Sequence, residues 1–181
     1  MIPTLPSIRG ACIAHAVVAT PLGPVLLART ERGLAGLWFE SQKHHPGEFA
    51  TPVRPDDTLL ARAAAQLAGY FAGARGDFDL PLDLLGTPFQ RAVWEALRLI
   101  PAGKTMSYGA LASRLGLAQA VRAVAGAVGR NPVSVIVPCH RVLGADGSLT
   151  GYAGGVERKR HLLALEGPQA LLEPELADRA A

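Results

Sequence analysis

The sequence predicts an α+β protein in two parts. Residues 1–85 are expected to form a small N-terminal α/β domain with an antiparallel sheet and a trailing linker, and residues 86–167 a mainly helical C-terminal domain with a helix-turn-helix. A tail over 168–181 is expected to be poorly ordered. Three observations carry this reading. Apolar runs of strand length, separated by Pro and Gly turns, fill residues 11–40. From Thr87 onward the apolar positions recur at helical spacing instead. The charge also changes at the Gly86-Thr87-Pro88 break, with seven basic and eight acidic side chains before it and ten basic against four acidic over 86–167. A chain of 181 residues that is 49% hydrophobic and 18% charged can bury a real core, which excludes wholesale disorder and fibrous repeats.

The strands read as CIAHAVVA, PVLLART and LAGLWFE, joined at Thr20-Pro21-Leu22-Gly23 and at Glu31-Arg32-Gly33. Residues 41–55, with His44, His45, Pro46, Gly47, Pro52 and Pro55, read as a loop. Asp56-Asp57-Thr58 opens an amphipathic helix through Leu59, Leu60, Ala63, Ala64, Leu67 and Phe71, and residues 73–86 read as the linker. Pro88 then starts a helix carrying Phe89, Val93, Trp94, Leu97 and Ile100, which Pro101-Ala102-Gly103 stops. Ser107 can cap a second helix, YGALASRLG, and AQAVRAVAGAV forms a third after a short turn, ending near Gly129-Arg130-Asn131-Pro132. Two short helices around a Gly-containing turn, in a basic segment, have the outline of a helix-turn-helix.

No uncharged stretch approaches the roughly 20 apolar residues a membrane helix needs, and no secretory leader is evident, so no membrane partner is expected. Two cysteines, Cys12 and Cys139, are too few for a disulfide framework. A reduced, cytoplasmic protein is the expectation. The basic balance of 86–167 points to an anionic partner or to well-solvated helices, and charge alone does not separate the two. Chemistry concentrates where the β-branched run Val133 to Val137 leads into Pro138-Cys139-His140-Arg141-Val142. A thiol reacts as its thiolate and needs a base and positive surroundings; Cys139 has His140 and Arg141 beside it, although a buried inert cysteine would read the same way by type alone.

The run NPVSVIVPCHRV, followed by GSLTGYAGG and KRHLLALEG, resembles the active-site region of the O6-alkylguanine-DNA alkyltransferases, also called methylated-DNA–protein-cysteine methyltransferases. The similarity extends upstream through GTPFQRAVWEALRLIPAGKTMSYGALASRLG and VRAVAGAVGRNP, and more weakly to TPLGPVLLARTERGLAGLWFE. This resemblance implies a ribonuclease-H-like N-terminal domain and a winged-helix C-terminal one. It implies direct-reversal DNA repair by one-time transfer of an alkyl group from O6-alkylguanine, and in some relatives O4-alkylthymine, to a cysteine after nucleotide flipping.

Carried over residue by residue, Cys139 matches the alkyl acceptor, His140 the base acting through a water, and Glu166 the carboxylate orienting the imidazole. Asn131 matches a hinge asparagine before the reactive turn, and Tyr108 the phenol that donates to the departing purine. Arg122 matches the arginine that fills the gap left by the flipped nucleotide, on a helix that enters the minor groove, with Ser107, Ala123, Gly126 and Arg130 as further DNA contacts. Val142, Tyr152, Ala153 and Gly154 match the pocket for the alkylated base.

Two departures qualify the match. Ala153 stands where some relatives have Ser, so any contact to the alkylated oxygen there must come from backbone N–H. Cys12, His15, His44 and His45 show no recognisable ligand spacing, so no structural zinc and no cofactor are expected. The expected partner is double-stranded DNA containing O6-alkylguanine, met by a monomer. A non-catalytic lesion-binding relative is the first alternative, and Cys139 with His140 and Glu166 argues against it. A thiol hydrolase is the second; it lacks an oxyanion-hole motif and leaves the basic helical hairpin unexplained.

Overall fold

A computed structural model describes residues 7–167; the expectation for the tail at 168–181 lies outside them. The three expected strands form one antiparallel sheet in sequence order: β1 (Ala14–Val18), β2 (Val25–Arg29) and β3 (Leu34–Phe39). In β1 Ala14 and Ala16 face the core while His15 and Val17 turn away, the alternation of a strand covered on one face. β3 is buried along its whole length because both of its flanks are covered. A one-turn helix, α1 (Ile8–Ala11), capped by Ser7, precedes the sheet and was not expected.

The segment read as a linker, residues 73–86, packs against the sheet. Leu34 N donates to Pro81 O at 2.8 Å and Asp83 N to Leu34 O at 2.9 Å, so residues 81–83 extend the β3 edge. Asp83 also accepts from buried Thr30 Oγ1 and pairs with Arg32. Gly33 is required by this approach, since a Cβ there would lie 2.6 Å from Pro81 O. Residues 41–55 contain no helix and only the bridge from Val53 to His15, as expected of a loop.

Helix α2 (Thr58–Phe71) starts on Asp57, whose carboxylate accepts from Leu59 N and Leu60 N, and buries Leu60, Ala63, Leu67 and Tyr70. Helix α3 (Pro88–Arg98) starts on a capping box, with Thr87 and Gln90 each satisfying the other's backbone N–H. Its Trp94 Nε1 donates to Ala127 O at 2.8 Å, tying it to α5 (Val121–Gly129). Ser107 caps α4 (Tyr108–Arg114), and a 3₁₀ turn at Ala118–Ala120 leads into α5, giving the helical hairpin. A short parallel pair, β4 (Met106–Ser107) with β5 (Val142–Leu143), and α6 (Val156–Glu166) complete the C-terminal part. One continuous apolar core runs from Ala14 to Leu162 and includes side chains of both parts.

The β-branched run at 133–137 does not become a strand. Only Val133 pairs, with Leu37 of β3: Leu37 N donates to Pro132 O and Ser134 N to Leu37 O, both at 2.9 Å. Val135 sits at φ 69°, a costly conformation for a β-branched residue that the surrounding burial enforces. The edge of the N-terminal sheet thus grips the turn that leads to Cys139.

Candidate active site

Cys139 opens a 3₁₀ turn, Cys139–Arg141, at the end of this gripped segment. Asn131 organises it. Its Nδ2 donates to Val137 O at 2.7 Å and lies 3.0 Å from Cys139 Sγ, while its Oδ1 accepts from Val133 N at 3.0 Å. One buried amide therefore holds both ends of the turn and supplies an N–H to the sulfur.

His140 is fully buried, and its Nε2 meets Glu166 Oε1 at 2.8 Å. With Glu166 ionised, Nε2 carries the proton and Nδ1 keeps its lone pair. Nδ1 is buried with no hydrogen-bond partner among the described residues. Glu166 comes from the last turn of α6 and is held from several sides. Arg141 Nε and Nη2 reach its two oxygens at 2.8 and 2.7 Å, and Tyr70 Oη donates at 2.7 Å. Burial opposes ionisation of Glu166, but the hydrogen bonds from His140 and Arg141 outweigh it and hold the carboxyl well below the usual range.

Burial pushes the Cys139 thiol up, opposed by the Asn131 N–H and by the charge of Lys159. Burial lowers His140, and Glu166 pulls the other way. The resting state is accordingly thiol, neutral imidazole and carboxylate. Such a set moves a proton when a substrate arrives and keeps the sulfur in its less reactive form before that.

Tyr108, at the first position of α4, points its hydroxyl at the loop of residues 150–154, 3.3 Å from Gly151 O and 3.4 Å from Thr150 O. Burial and the Cys139 charge push its phenol up to about 12, so it remains a donor at neutral pH. Gly151, at φ 68°, comes so close that a Cβ would lie 3.1 Å from the Tyr108 hydroxyl. The loop itself is anchored by the N-terminal part, through Lys43 N to Ala153 O at 2.9 Å and through Arg158, which donates to Leu22 O and Gly154 O and lies over the Phe39 ring. Tyr152 and Gly154 are buried beside it, and Val142 lies at the start of β5.

On α5, Val124, Ala127 and Val128 face the core, leaving Arg122, Ala123, Gly126 and Arg130 along the outer face. The helix thus presents two guanidinium groups flanking a stretch without bulk.

Two family models divide the chain between them. Residues 13–84 match the 6-O-methylguanine DNA methyltransferase ribonuclease-like domain, and residues 88–168 match the DNA binding domain of the same family. The methylated-DNA–protein-cysteine methyltransferase of Mycobacterium tuberculosis is 46% identical over 166 residues, which cover 92% of this chain and 99% of that protein. The chain belongs to the 6-O-methylguanine DNA methyltransferase family. The protein of the same name from Methanosarcina acetivorans is 45% identical over 153 residues, covering 84% of this chain and 97% of that one. A crystal structure of M. tuberculosis OGT in complex with DNA superposes with a TM-score of 0.78 at 42% identity, covering 89% of this chain and all of that one.

For a 6-O-methylguanine DNA methyltransferase, three buried residues around Cys139 and Glu166 make contacts that the sequence did not indicate. Arg141 read there as part of the positive surroundings of Cys139, and Lys159 as basic charge of the C-terminal part. Lys159 is fully buried, donates to Val142 O at 2.5 Å and Thr150 O at 2.8 Å, and has its ammonium lowered to about 8 by burial. Arg141 is spent on Glu166 and on Ile100 O. Tyr70 comes from the other part of the chain, 96 residues from its partner, and nothing in its surroundings in sequence marks it. Of the N-terminal Cys and His residues that show no ligand spacing in the sequence, Cys12 lies in a small apolar cluster with Ala28, Ala35 and Trp38, and His15 Nδ1 bonds Thr51 Oγ1. Among the described residues no helix is long and apolar enough to cross a membrane.

Proposed function

We propose that this methyltransferase removes the alkyl group from O6-alkylguanine in double-stranded DNA by moving it to Cys139 Sγ, once per molecule. One observation carries the reading: a buried thiol held by Asn131, followed by an imidazole whose Nε2 is committed to Glu166 and whose Nδ1 has no partner among the described residues. Nδ1 is the nitrogen left to take the Cys139 proton, through a bridging water. The thiolate then attacks the alkyl carbon, a C–S bond forms as the C–O6 bond breaks, and the electron pair leaves with the guanine. Tyr108 offsets that charge by donating to the ring, giving up two long contacts to Gly151 and Thr150. Lys159 steadies the sulfur charge while it exists. The thioether has no good leaving group, so the protein is consumed.

The lesion must leave the stack to reach a buried sulfur. The outer face of α5 suits this: Ala123 and Gly126 let the backbone come close in the minor groove, and Arg122 is free to fill the gap. Val142, Tyr152, Ala153 and Gly154 surround the flipped base, and Ser107 and Arg130 contact the backbone. The protein acts as a monomer, and its two free thiols fit a reducing cytoplasm. The test is mass spectrometry after incubation with excess O6-methylguanine duplex. One methyl mass is expected per molecule, on the tryptic peptide Asn131 to Arg141; sustained turnover, or label elsewhere, overturns the reading.

A further inference from the structure

The N-terminal part reaches the catalytic carboxylate through one side chain. Tyr70, in the last turn of α2, is 1% exposed, and its hydroxyl donates to Glu166 Oε1 at 2.7 Å. The same oxygen accepts from His140 Nε2 at 2.8 Å and from Arg141 Nη2 at 2.7 Å. The other oxygen, Oε2, takes Arg141 Nε at 2.8 Å and a longer contact from Gly103 N at 3.5 Å. Phenol and imidazole therefore share one acceptor atom. The direction of the phenol is fixed, because its ring packs against Phe71 and Phe78 with centroids 5.4 Å away in each case.

Packing alone would not need the hydroxyl, since phenylalanine fills the same space. A buried hydroxyl is costly unless it is bonded, and this one spends its bond on the oxygen that orients the base. A carboxylate oxygen that divides its charge among three donors is a weaker acceptor for each than one serving two. We propose that Tyr70 is a positioning residue for the alkyl transfer: it fixes Glu166 from the N-terminal domain and restrains the basicity of the His140 imidazole. The site is then complete only when Tyr70 of α2 reaches Glu166 of α6, which gives the N-terminal domain a part in the reaction. The inference rests on the transfer reading above and deepens it. The other titratable groups facing this pair are Arg141 on the same turn, Lys159 on α6, the Cys139 thiol and the Tyr152 phenol. None of them is itself substituted when only the Tyr70 hydroxyl is altered.

Two variants of the full chain test this in opposite directions. Tyr70→Phe removes the donor and keeps the ring, so Oε1 bonds the imidazole more strongly. Nitrogen-15 NMR of His140 in the protein alone should show its titration moving up by about half a pH unit or more. The acid limb of the single-turnover transfer rate should move the same way, with duplex affinity unchanged. Replacing Tyr70 by 3-fluorotyrosine keeps the shape but strengthens the donor, and should move the His140 titration down. An imidazole titration that stays put in both proteins overturns the proposal, whatever happens to stability. Absence of transfer by the unsubstituted protein would overturn the transfer reading instead, and the NMR titration would still decide the part of Tyr70.

Discussion

Cys12 and Cys139 are both buried free thiols, and only their neighbours tell them apart. Burial pushes Cys12 up to about 11, with Asp83 adding to the effect. Cys139 suffers the same burial but has the Asn131 N–H and the Lys159 ammonium against it. Replacing Cys139 with Ser should abolish alkyl transfer while lesion DNA stays bound, because a hydroxyl is far harder to deprotonate; Cys12→Ala should leave the transfer rate intact. Label lost with Cys12 and kept with Cys139 would identify the wrong nucleophile. The same neighbours set a pH dependence. Glu166 is held below its ordinary 4.5, so its stabilising effect is present above that value and lost as pH falls below it. His140 is held below 6.5, so as pH falls through that value the unfolded chain binds its proton first and folding weakens there too. Melting temperature should fall below pH 6.5 and more steeply below 4.5. Glu166→Gln should flatten the lower limb and cost about 3 kcal/mol at neutral pH, since it leaves Arg141 buried without its carboxylate. A variant whose melting temperature tracks the parent across the acid range would refute this linkage. Cys139, His140, Glu166 and Asn131 were legible as a set because the segment around the cysteine resembles a family closely. The contacts of Tyr70, Arg141 and Lys159 were not, because burial and folding decide them: Arg141 read only as a charge beside Cys139, and Tyr70 lies 96 residues from its partner.

At the scale of elements, local chemistry announced most of what formed. Asp57, Thr87 and Ser107 each cap the helix that the sequence placed after them, and the Pro and Gly turns separate the three strands where expected. Long-range pairing supplied the rest. Residues 81–83, inside the segment read as a linker, and the β-branched run at 133–137 take their conformation from pairing with the β3 edge, at Leu34 and Leu37, which no local propensity encodes. The hairpin of α4 and α5 makes a prediction of its own. Arg122 is exposed and forms no hydrogen bond or ion pair among the described residues, so the fold does not need it. Arg122→Ala should change stability by no more than about 0.5 kcal/mol. It should slow repair of a paired lesion, by the order of the few kcal/mol that unstacking costs, more than reaction with the free alkylated base. Equal slowing on both substrates would move Arg122 from nucleotide flipping to the chemistry.

Over the whole molecule, the surplus of positive charge between residues 86 and 167 is smaller in effect than a count suggests. Of the ten basic residues there, Arg141 and Lys159 are buried, and Arg158 is spent on Leu22 O and Gly154 O. Arg98 and Arg160 are paired with Glu95 and Glu157 on their own helices. Arg91 and Lys104 lie outside the hairpin, which leaves Arg114, Arg122 and Arg130 as its exposed cations. Each phosphate neutralised releases condensed counterion, so three contacts give a plot of log affinity against log salt with a slope of about −2.7. Affinity for undamaged duplex should then fall about 40-fold between 50 and 200 mM salt, with little dependence on sequence. Had all ten cations met phosphate, the slope would approach about −9. Fluorescence anisotropy titrations across that salt range decide between the two. A slope beyond about −6 would mean that the DNA path extends well past the hairpin, and replacing Arg91 by Ala would then reduce it by about one.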